Sequence, residues 1–303
     1  MSYIIRTHEL TKVFDNKEVV NNVNINVKQS EIYGFLGPNG AGKTTVMRMI
    51  INLIKPTSGE IEIFGERLTF SSYNVLKRIG SIIEYPVFID HLSGKENLEF
   101  HCEYMGYYSP NCVENALEML ELSKTGNKPV RSYSLGMKQR LGLARAVLTK
   151  PELLILDEPM NGLDPAGMKH IRDLLKMLCR ENGMTILISS HILSEIESFA
   201  DTIGIISQGK MLRELAMQEI HDINLSYVEL VAGDLKRAAY VLTEHLHITN
   251  FKLMDNKVIR IYDTSMPSQE LSKKLILNDV AIESISQKSE TLEDYFLKVT
   301  EER

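Results

Sequence analysis

A glycine-rich stretch of the chain carries the residue types that bind phosphate. It matches the pattern G-x-x-x-x-G-K-[ST] and consists of Gly37, Pro38, Asn39, Gly40, Ala41, Gly42, Lys43, Thr44 and Thr45. Glycines lack a Cβ atom, so consecutive backbone N–H groups can turn toward the oxygens of a polyphosphate. Lys43 adds a positive charge, Thr44 offers a hydroxyl to Mg²⁺, and Thr45 is a candidate for a second hydrogen-bond donor to phosphate. The stretch therefore predicts a phosphate-binding loop.

Two adjacent carboxylates follow an apolar run more than a hundred positions later. Leu153 to Leu156 predicts a buried strand, and Asp157, Glu158 and Pro159 follow it. Consecutive side chains on a strand point in opposite directions, so Asp157 can hold the Mg²⁺ shell while Glu158 faces an attacking water as general base. The alternative is that two acidic residues only close a strand beside a loop. Their occurrence together with the phosphate-binding loop favours phosphoryl transfer.

The elements around the glycine-rich stretch are in the order that such a loop needs. Glu31 to Leu36 predicts a short buried strand, and Thr44 to Ile54 predicts a helix with apolar periodicity and without glycine or proline. The loop therefore lies between a strand and a helix N-terminus, where unpaired N–H groups and the helix dipole favour anions.

A third motif suggests a family. The run Tyr133 to Arg140, with the sequence YSLGMKQR, resembles the signature motif of the ATP-binding-cassette (ABC) ATPases, the nucleotide-hydrolysing subunits of membrane transporters. Ser134 and Gly136 stand in their expected places, whereas Leu135 and Met137 replace a glycine and a glutamine. The resemblance implies that Ser134 and Gly136 contact ATP.

Three further residues resemble functional positions of that family. Asp164 ends Asn161-Gly-Leu-Asp, at the spacing of the D-loop, and is assigned to nucleotide binding. His191 follows the apolar run Met184 to Ile188 and resembles the switch histidine, which can hydrogen-bond a γ-phosphate or the water. Phe14 resembles the aromatic residue that stacks on adenine. The alternative for Phe14 is ordinary core packing.

Glu84 departs from the family pattern. It follows Ile79 to Ile83, at a position where many family members carry glutamine. Its side chain still offers an oxygen, so we expect Glu84 to take part in catalysis and to be a third Mg²⁺ ligand beside Thr44 and Asp157. The nearby Ser93 and Glu96 form a capping box, which predicts the start of a helix and requires no function.

The resemblance also implies the fold class, an α/β P-loop NTPase of the ABC ATPase type, with a mixed sheet core plus a helical subdomain. We expect a nucleotide-binding domain at residues 1–220, its helical subdomain at about 86–149, and an accessory α+β domain at 221–303. The helical subdomain includes helical patterns at Asn97 to Tyr107 and Asn115 to Leu122.

The accessory domain contains no catalytic motif. Its patterns predict the order βαββαβ, which suggests a ferredoxin-like unit, with a hairpin around Asp255-Asn256. A final helix at Thr291 to Val299 has one apolar side, consistent with packing back onto the chain. The alternative is that this domain mediates dimer contacts or regulation.

Composition limits the kind of protein and the cellular compartment that we expect. The chain has 303 residues, 44% of them hydrophobic, and a formal net charge of −6, which argues against a general nucleic-acid binder. Its three cysteines have no metal-binding spacing, so we expect a reduced compartment. No signal peptide or apolar run of membrane-spanning length is present, so we expect a cytoplasmic protein.

The family resemblance implies the partners. Two copies are expected to form a head-to-tail homodimer that holds ATP and Mg²⁺ between the phosphate-binding loop of one copy and Ser134 and Gly136 of the other. Without a spanning helix, the chain must act on a separate membrane permease, which places it at the inner face of the membrane. The surface at about residues 84–92 is expected to meet the permease.

Softer features are similar to one branch of the family, the ATPase subunits of bacitracin-resistance and lantibiotic self-protection exporters. They are Asn26 to Lys28, Ile32 to Phe35, Ile61 to Gly65, Arg78 to Ser81 with Glu84, Tyr133 to Arg140, Ser189 to Glu195, and Leu292 to Phe296. The resemblance implies export of a peptide antibiotic through the permease.

Two other classes of ATP-binding protein fit the sequence less well. A soluble ABC ATPase acting on ribosomes or DNA usually has two cassettes or a long coiled-coil insertion, whereas each motif occurs once here and no sustained heptads separate Lys43 from Asp157. A binding module that closes on ATP without hydrolysis would not need Glu158 and His191. The sequence therefore favours a transporter ATPase.

Overall fold

The chain divides into two units, each with its own hydrophobic core. The computed structural model describes residues 2–222, 226–254, 257–263 and 266–289. The first unit is Met1–Ile220 and the second is His221–Arg303.

A six-stranded sheet forms the centre of the first unit. Its order is β11-β10-β4-β9-β8-β7, and the pairs from β10 to β7 are parallel, while β11 pairs antiparallel at the edge. The strands are β4 (Ile32–Leu36), β7 (Ile79–Ile82), β8 (Leu153–Leu156), β9 (Thr185–Ser190), β10 (Thr202–Ser207) and β11 (Lys210–Ala216). Every residue of β4, β8 and β9 is buried, as expected for parallel strands with both faces covered.

A second sheet of the same unit is antiparallel. Its order is β2-β1-β5-β6, and β3 also pairs with β1. The strands are β1 (Tyr3–Phe14), β2 (Lys17–Val23), β3 (Asn26–Lys28), β5 (Ser58–Ile63) and β6 (Glu66–Arg67). Parallel and antiparallel pairing together make the mixed sheet core that the resemblance implied.

Helices join and cover the strands of the first unit. They are α1 (Lys43–Ile50), α2 (Tyr73–Leu76), α3 (Gly94–Met105), α4 (Cys112–Met119), α5 (Leu135–Val147), α6 (Pro165–Arg180), α7 (Leu193–Ile196) and α8 (Met217–Asp222). A 3₁₀ turn at Val130–Ser132 precedes α5. The helix predicted to reach Ile54 ends at Ile50, because Asn52 takes a left-handed φ of 61° and Leu53 donates its N–H back to the Arg48 carbonyl at 2.9 Å.

The helices α3, α4 and α5 lie between β7 and β8 in the chain. The capping box at the start of α3 is confirmed, since Ser93 Oγ accepts the Glu96 N–H at 3.1 Å and the Ser93 N–H donates to Glu96 Oε2 at 2.7 Å. The helix begins at Gly94, directly after the predicted cap and three residues before the predicted helical pattern at Asn97. Cys102 in α3 and Cys112 in α4 are free thiols with their Sγ atoms 3.7 Å apart.

The second unit has the element order that the sequence predicts. It consists of β12 (Ser226–Ala232), α9 (Leu235–Tyr240) continued by a π-helical turn (Val241–His245), β13 (Phe251–Met254), β14 (Val258–Ile261), α10 (Ser268–Leu277) and β15 (Ile282–Ser289). The antiparallel sheet order β13-β14-β12-β15 is that of a ferredoxin-like unit.

Apolar side chains of one sheet face and both helices form the core of this second unit. Its buried members include Val228, Leu230, Ala238, Leu242, Ile259, Ile261, Leu271 and Leu275. The predicted hairpin turn at Asp255-Asn256 and the predicted helix at Thr291 to Val299 lie outside the described residues. Within the described ranges, no helix combines the length and the apolar character that crossing a bilayer requires.

Candidate functional site

Three neighbouring parallel strands bring the predicted site residues to one edge of the central sheet. The strands β4, β9 and β8 are adjacent, and Leu36 and Leu156 at the ends of β4 and β8 pair with Ser190 and Ile188 of β9. The segments that leave these strands therefore emerge side by side. They carry the phosphate-binding loop, the two adjacent carboxylates and His191. Ligands of open α/β sheets bind at such carboxyl-end crevices.

The phosphate-binding loop has backbone conformations that require glycine. Gly40 and Gly42 have φ values of 79° and 107°, and Gly42 directly precedes α1. A Cβ atom at Gly42 would lie 2.9 Å from the Val19 carbonyl oxygen, and one at Gly37 would clash with the backbone at Ile206. The two ends of the loop are therefore closely packed against the backbone at Val19 and Ile206, while Pro38, Asn39 and Gly40 at its tip are exposed.

Lys43 is the first residue of α1, its side chain reaches back to the loop, and it is 5% exposed. Its Nζ donates to the Gly37 carbonyl oxygen at 2.6 Å and lies 3.2 Å from Glu158 Oε1. The positive charge is thereby held at the concave side of the loop, where a phosphate would compete with Glu158 for it. Ala41 is also buried, and Thr45 follows Thr44 into α1 half-buried.

Thr44 and Asp157 meet across the site. Thr44 Oγ1 donates to Asp157 Oδ2 at 2.7 Å, and Asp157 is 2% exposed. Mg²⁺ prefers oxygen ligands and is usually bound by one or two of them together with substrate phosphates and water. A hydroxyl and a carboxylate oxygen in contact at the start of α1 fit such an ion.

Glu158 is shared between a lysine and a histidine. Its Oε2 lies 2.7 Å from His191 Nδ1, and its Oε1 faces Lys43. A carboxylate only accepts, so Nδ1 carries the proton, and Nε2 of His191 can donate to a further oxygen only when the ring is an imidazolium. Glu158 also has a left-handed φ of 50°, which a non-glycine residue rarely adopts.

Ser189 is a buried member of the site to which the sequence analysis assigned no separate role. Its Oγ donates to Asp157 Oδ1 at 2.6 Å and accepts the Glu158 N–H at 2.9 Å. The residue is 1% exposed. Serine is common at the end of an apolar strand, so the sequence alone does not mark Ser189 as a site residue. Its position between Asp157 and Glu158 in the structure does.

The structure places Ser134, Gly136 and Asp164 together in a second cluster. Ser134 Oγ caps α5 by accepting the Met137 N–H at 3.2 Å, and Asp164 Oδ1 caps α6 by accepting the Gly167 N–H at 3.0 Å. These residues line one open cavity. Their contacts with nucleotide stay predictions.

Glu84 and Phe14 have surroundings of their own. The Glu84 carboxylate accepts from Arg48 at 2.6 Å and is 57% exposed, so its predicted roles in catalysis and metal binding would require it to leave Arg48. Phe14 is 43% exposed, with Lys12 Nζ 4.8 Å from its ring centroid. Ordinary core packing therefore does not describe Phe14, and its ring is accessible for stacking.

Comparison with known proteins gives consistent matches. The family model for ABC transporters matches residues 20–161. An uncharacterised ABC transporter ATP-binding protein of Bacillus subtilis, YcbN, is 55% identical over 99% of this chain and 97% of its own length. The bacitracin transport ATP-binding protein BcrA of Bacillus licheniformis is 46% identical over 99% of this chain and 98% of its own length.

A solved structure shares the fold of the first unit. It is the dimeric post-hydrolysis state of the ATP-binding cassette MJ0796, bound to ADP and Pi. The TM-score is 0.65 at 28% sequence identity, and the match covers 70% of this chain and 98% of that one. The chain similarity therefore extends from sequence to tertiary structure.

Proposed function

Because this chain belongs to the family of ABC transporter ATP-binding subunits, we propose that it powers the export of a peptide antibiotic through a separate membrane permease. The chain itself binds and hydrolyses ATP. The observation that supports its catalytic role best is the Glu158 carboxylate, held between Lys43 Nζ and His191 Nδ1 beside the Thr44–Asp157 contact.

Hydrolysis needs a base, and Glu158 is the candidate. Its carboxylate accepts a proton from the water that attacks the γ-phosphorus, while the bond from that phosphorus to the β–γ bridging oxygen breaks to yield ADP and phosphate. Lys43 leaves Glu158 for the phosphate oxygens, which frees the carboxylate for the water. His191 orients Glu158 through Nδ1 and lies where its ring can hydrogen-bond a γ-phosphate oxygen or the water.

Thr44 and Asp157 would hold the Mg²⁺ that accompanies ATP. The ion, when bound, neutralises charge on the β- and γ-phosphates. Glu84 would join these ligands only after separating from Arg48. The buried Asp157 carboxylate needs a cationic or hydrogen-bonding partner on each oxygen, and Thr44 and Ser189 supply the two hydrogen bonds.

Two copies of the chain would complete each ATP site. The second cluster, with Ser134 and Gly136, is separate from the phosphate-binding loop of its own copy in the described contacts, so a head-to-tail partner would bring it to the γ-phosphate. The hydroxyl and N–H there would stabilise charge on the phosphate oxygens. ATP would close the homodimer and hydrolysis would open it, which drives the permease between its two states.

The transported class rests on similarity. BcrA, a bacitracin transport protein by name, matches nearly all of this chain. We therefore propose a peptide antibiotic of the bacitracin type as the substrate, with a lantibiotic as the alternative. The substrate would bind the permease, and this subunit would act at the cytoplasmic face of the membrane.

Antibiotic tolerance tests the transported class. The chain would be co-expressed with its permease in a sensitive Gram-positive host, and inhibitory concentrations of bacitracin and several lantibiotics would be compared with those of the Glu158→Gln variant. Selective protection against one compound, lost in the variant, is the expected result. Unchanged tolerance to every compound, despite a stable and ATP-hydrolysing complex, would remove the antibiotic from the proposal and leave a transporter ATPase for another cargo.

A further inference from the structure

We propose that Ser189 is a positioning residue that fixes both acidic residues of the ATPase site at once. The inference rests on the roles proposed for Asp157 and Glu158. It concerns the side chain of Ser189, which would act through these two residues. Its hydroxyl lies at the carboxyl end of β9, between the two residues that follow β8.

The Ser189 hydroxyl is the donor in one of its two hydrogen bonds and the acceptor in the other. The O–H donates to Asp157 Oδ1 at 2.6 Å, and a lone pair accepts the Glu158 N–H at 2.9 Å. Asp157 Oδ2 then faces Thr44 Oγ1, the side on which we expect Mg²⁺. The serine thereby selects which carboxylate oxygen is presented to the metal.

The second bond acts on the backbone of the proposed base. Glu158 has a φ of 50°, a left-handed conformation that is strained for a residue other than glycine. Such a conformation persists where the surroundings impose it. The bond from the Glu158 N–H to Ser189 is one such constraint, and it directs the side chain toward Lys43 and His191.

Because Ser189 is buried, water cannot readily take over the hydrogen bonds of its hydroxyl. Ser189 is 1% and Asp157 2% exposed. An alanine at position 189 would remove the donor to Asp157 and leave the Glu158 N–H without its acceptor in a region closed to bulk water. Partners that orient metal ligands in this way typically contribute about 10-fold to 100-fold to metal affinity or activity.

The test measures metal dependence separately from turnover. In Ser189→Ala, binding of a fluorescent ATP analogue would be titrated without metal and at a series of Mg²⁺ concentrations. We expect metal-free binding to stay within about twofold, because Lys43 and the loop are untouched. The apparent Mg²⁺ affinity and kcat should each fall by about tenfold or more.

A matched control is available on the same strand. Thr185 is the first residue of β9, at the end of the strand away from the two carboxylates. It is 1% exposed and its hydroxyl accepts the Ser30 N–H at 2.9 Å. Thr185→Val also removes one buried hydroxyl, so it reproduces the general cost of that loss. We expect it to retain the Mg²⁺ dependence and kcat of the unmodified chain.

A second variant covers the case in which Ser189→Ala does not fold. Ser189→Cys keeps a side chain of similar size with only weak hydrogen bonding, so its apparent Mg²⁺ affinity should fall, though by less than in the alanine variant. Unmodified Mg²⁺ affinity and kcat in either folded variant, or the same loss in Thr185→Val, would overturn the positioning role.

Asp157→Asn separates this inference from the proposed function on which it rests. If Asp157→Asn loses Mg²⁺ affinity while the Ser189 variants behave like Thr185→Val, only the role of Ser189 is wrong. If Asp157→Asn itself keeps Mg²⁺ affinity and turnover, the proposed metal site is wrong as well.

Discussion

At the residue scale, one carboxylate connects the phosphate-binding loop with the segment that follows β9. Glu158 Oε1 faces Lys43 Nζ at 3.2 Å and Oε2 faces His191 Nδ1 at 2.7 Å. The Lys43 ammonium group is thus compensated by Glu158 and by the Gly37 carbonyl oxygen. We expect a phosphate of ATP to replace Glu158 as the partner of Lys43, so two substitutions should separate binding from chemistry.

Glu158→Gln should retain ATP binding and lose most turnover. An amide cannot take the proton of the attacking water, and general-base catalysis contributes about 10²-fold to 10⁴-fold. Steady-state ATPase rates and ATP affinity would be measured side by side. Glu152→Gln is the control, since Glu152 precedes β8 and forms an exposed ion pair with Arg78. Turnover at the unmodified rate in Glu158→Gln would show that another group is the base.

Lys43→Ala should weaken ATP binding itself. The variant removes a charge-assisted bond to phosphate, which contributes about 1.5 to 3 kcal/mol, or about 10-fold to 150-fold in affinity. Equilibrium binding of ATP measures the effect. Lys77→Ala removes the same charge from an exposed position and should bind as the unmodified chain does. Equal affinity in both variants would contradict the assigned role of Lys43.

At the element scale, close contact between α5 and β7 connects the helical layer to the central sheet. A Cβ atom at Gly80 of β7 would clash with the Ala146 carbonyl oxygen of α5, and one at Gly142 would lie 2.8 Å from Pro86. The backbone of α5 therefore approaches the sheet at a distance that only glycine permits. This contact positions the helix that begins with the predicted signature residues.

Gly80→Ala should destabilise the first unit. Overpacking of a closely packed contact typically costs about 1 to 3 kcal/mol. Urea unfolding, followed by a probe in each unit, measures the change. Gly233→Ala in the second unit is the control, because its nearest neighbour would lie 3.9 Å from the new Cβ. If the midpoint of the first unit in Gly80→Ala is as unchanged as that of the second unit in Gly233→Ala, the α5–β7 contact relaxes without cost.

Acidification should act on α3 through His101. Burial, and to a smaller extent the nearby Arg145 cation, lowers the pKa of His101 from its ordinary 6.5. The unfolded chain then binds a proton at a higher pH than the folded chain, so folding stability present above pH 6.5 is lost as the pH falls toward the folded pKa.

The His101 prediction can be checked by unfolding at two pH values. Between about pH 7.5 and pH 5.5, the unmodified chain should lose more unfolding free energy than His101→Gln. His8→Gln, at an exposed position of β1, serves as the control and should lose as much as the unmodified chain. An identical loss in all three proteins would show that His101 does not contribute.

At the scale of the whole molecule, the candidate site belongs to one unit. Every predicted site residue, from Phe14 to His191, lies in Met1–Ile220, and that unit has a core separate from the core of the second unit. A unit with its own core can fold by itself. The second unit would then be dispensable for nucleotide binding, whatever it contributes to partners.

A polypeptide of residues 1–220 should therefore fold and bind ATP with an affinity within about twofold of the full chain. Circular dichroism and ATP titration would test it, with Lys43→Ala in the same polypeptide as the control for specific binding. A folded fragment that binds ATP much more weakly would show that residues 221–303 support the site. Failure to fold would show that the first core depends on the second unit.

The sequence by itself determined the local chemistry. The phosphate-binding loop, the adjacent Asp157 and Glu158 and the capping box at Ser93 are contiguous patterns, because their function depends on the backbone geometry of a few neighbouring residues. The family resemblance implied the fold class, the strand and helix patterns of the second unit predicted its βαββαβ order, and both are confirmed. Helix ends were less predictable, as α1 shows, since one left-handed residue decides them.

Tertiary structure alone decided which distant side chains meet. The pairing of β9 with β4 and β8 brings Ser189 between Asp157 and the Glu158 N–H, although more than thirty positions separate them in the chain. The tertiary structure also brings Arg48 of α1 to Glu84 beyond β7, although the sequence predicted Glu84 to be a metal ligand. Such contacts depend on strand order and register, and no short pattern encodes those, because they arise from packing of the whole sheet.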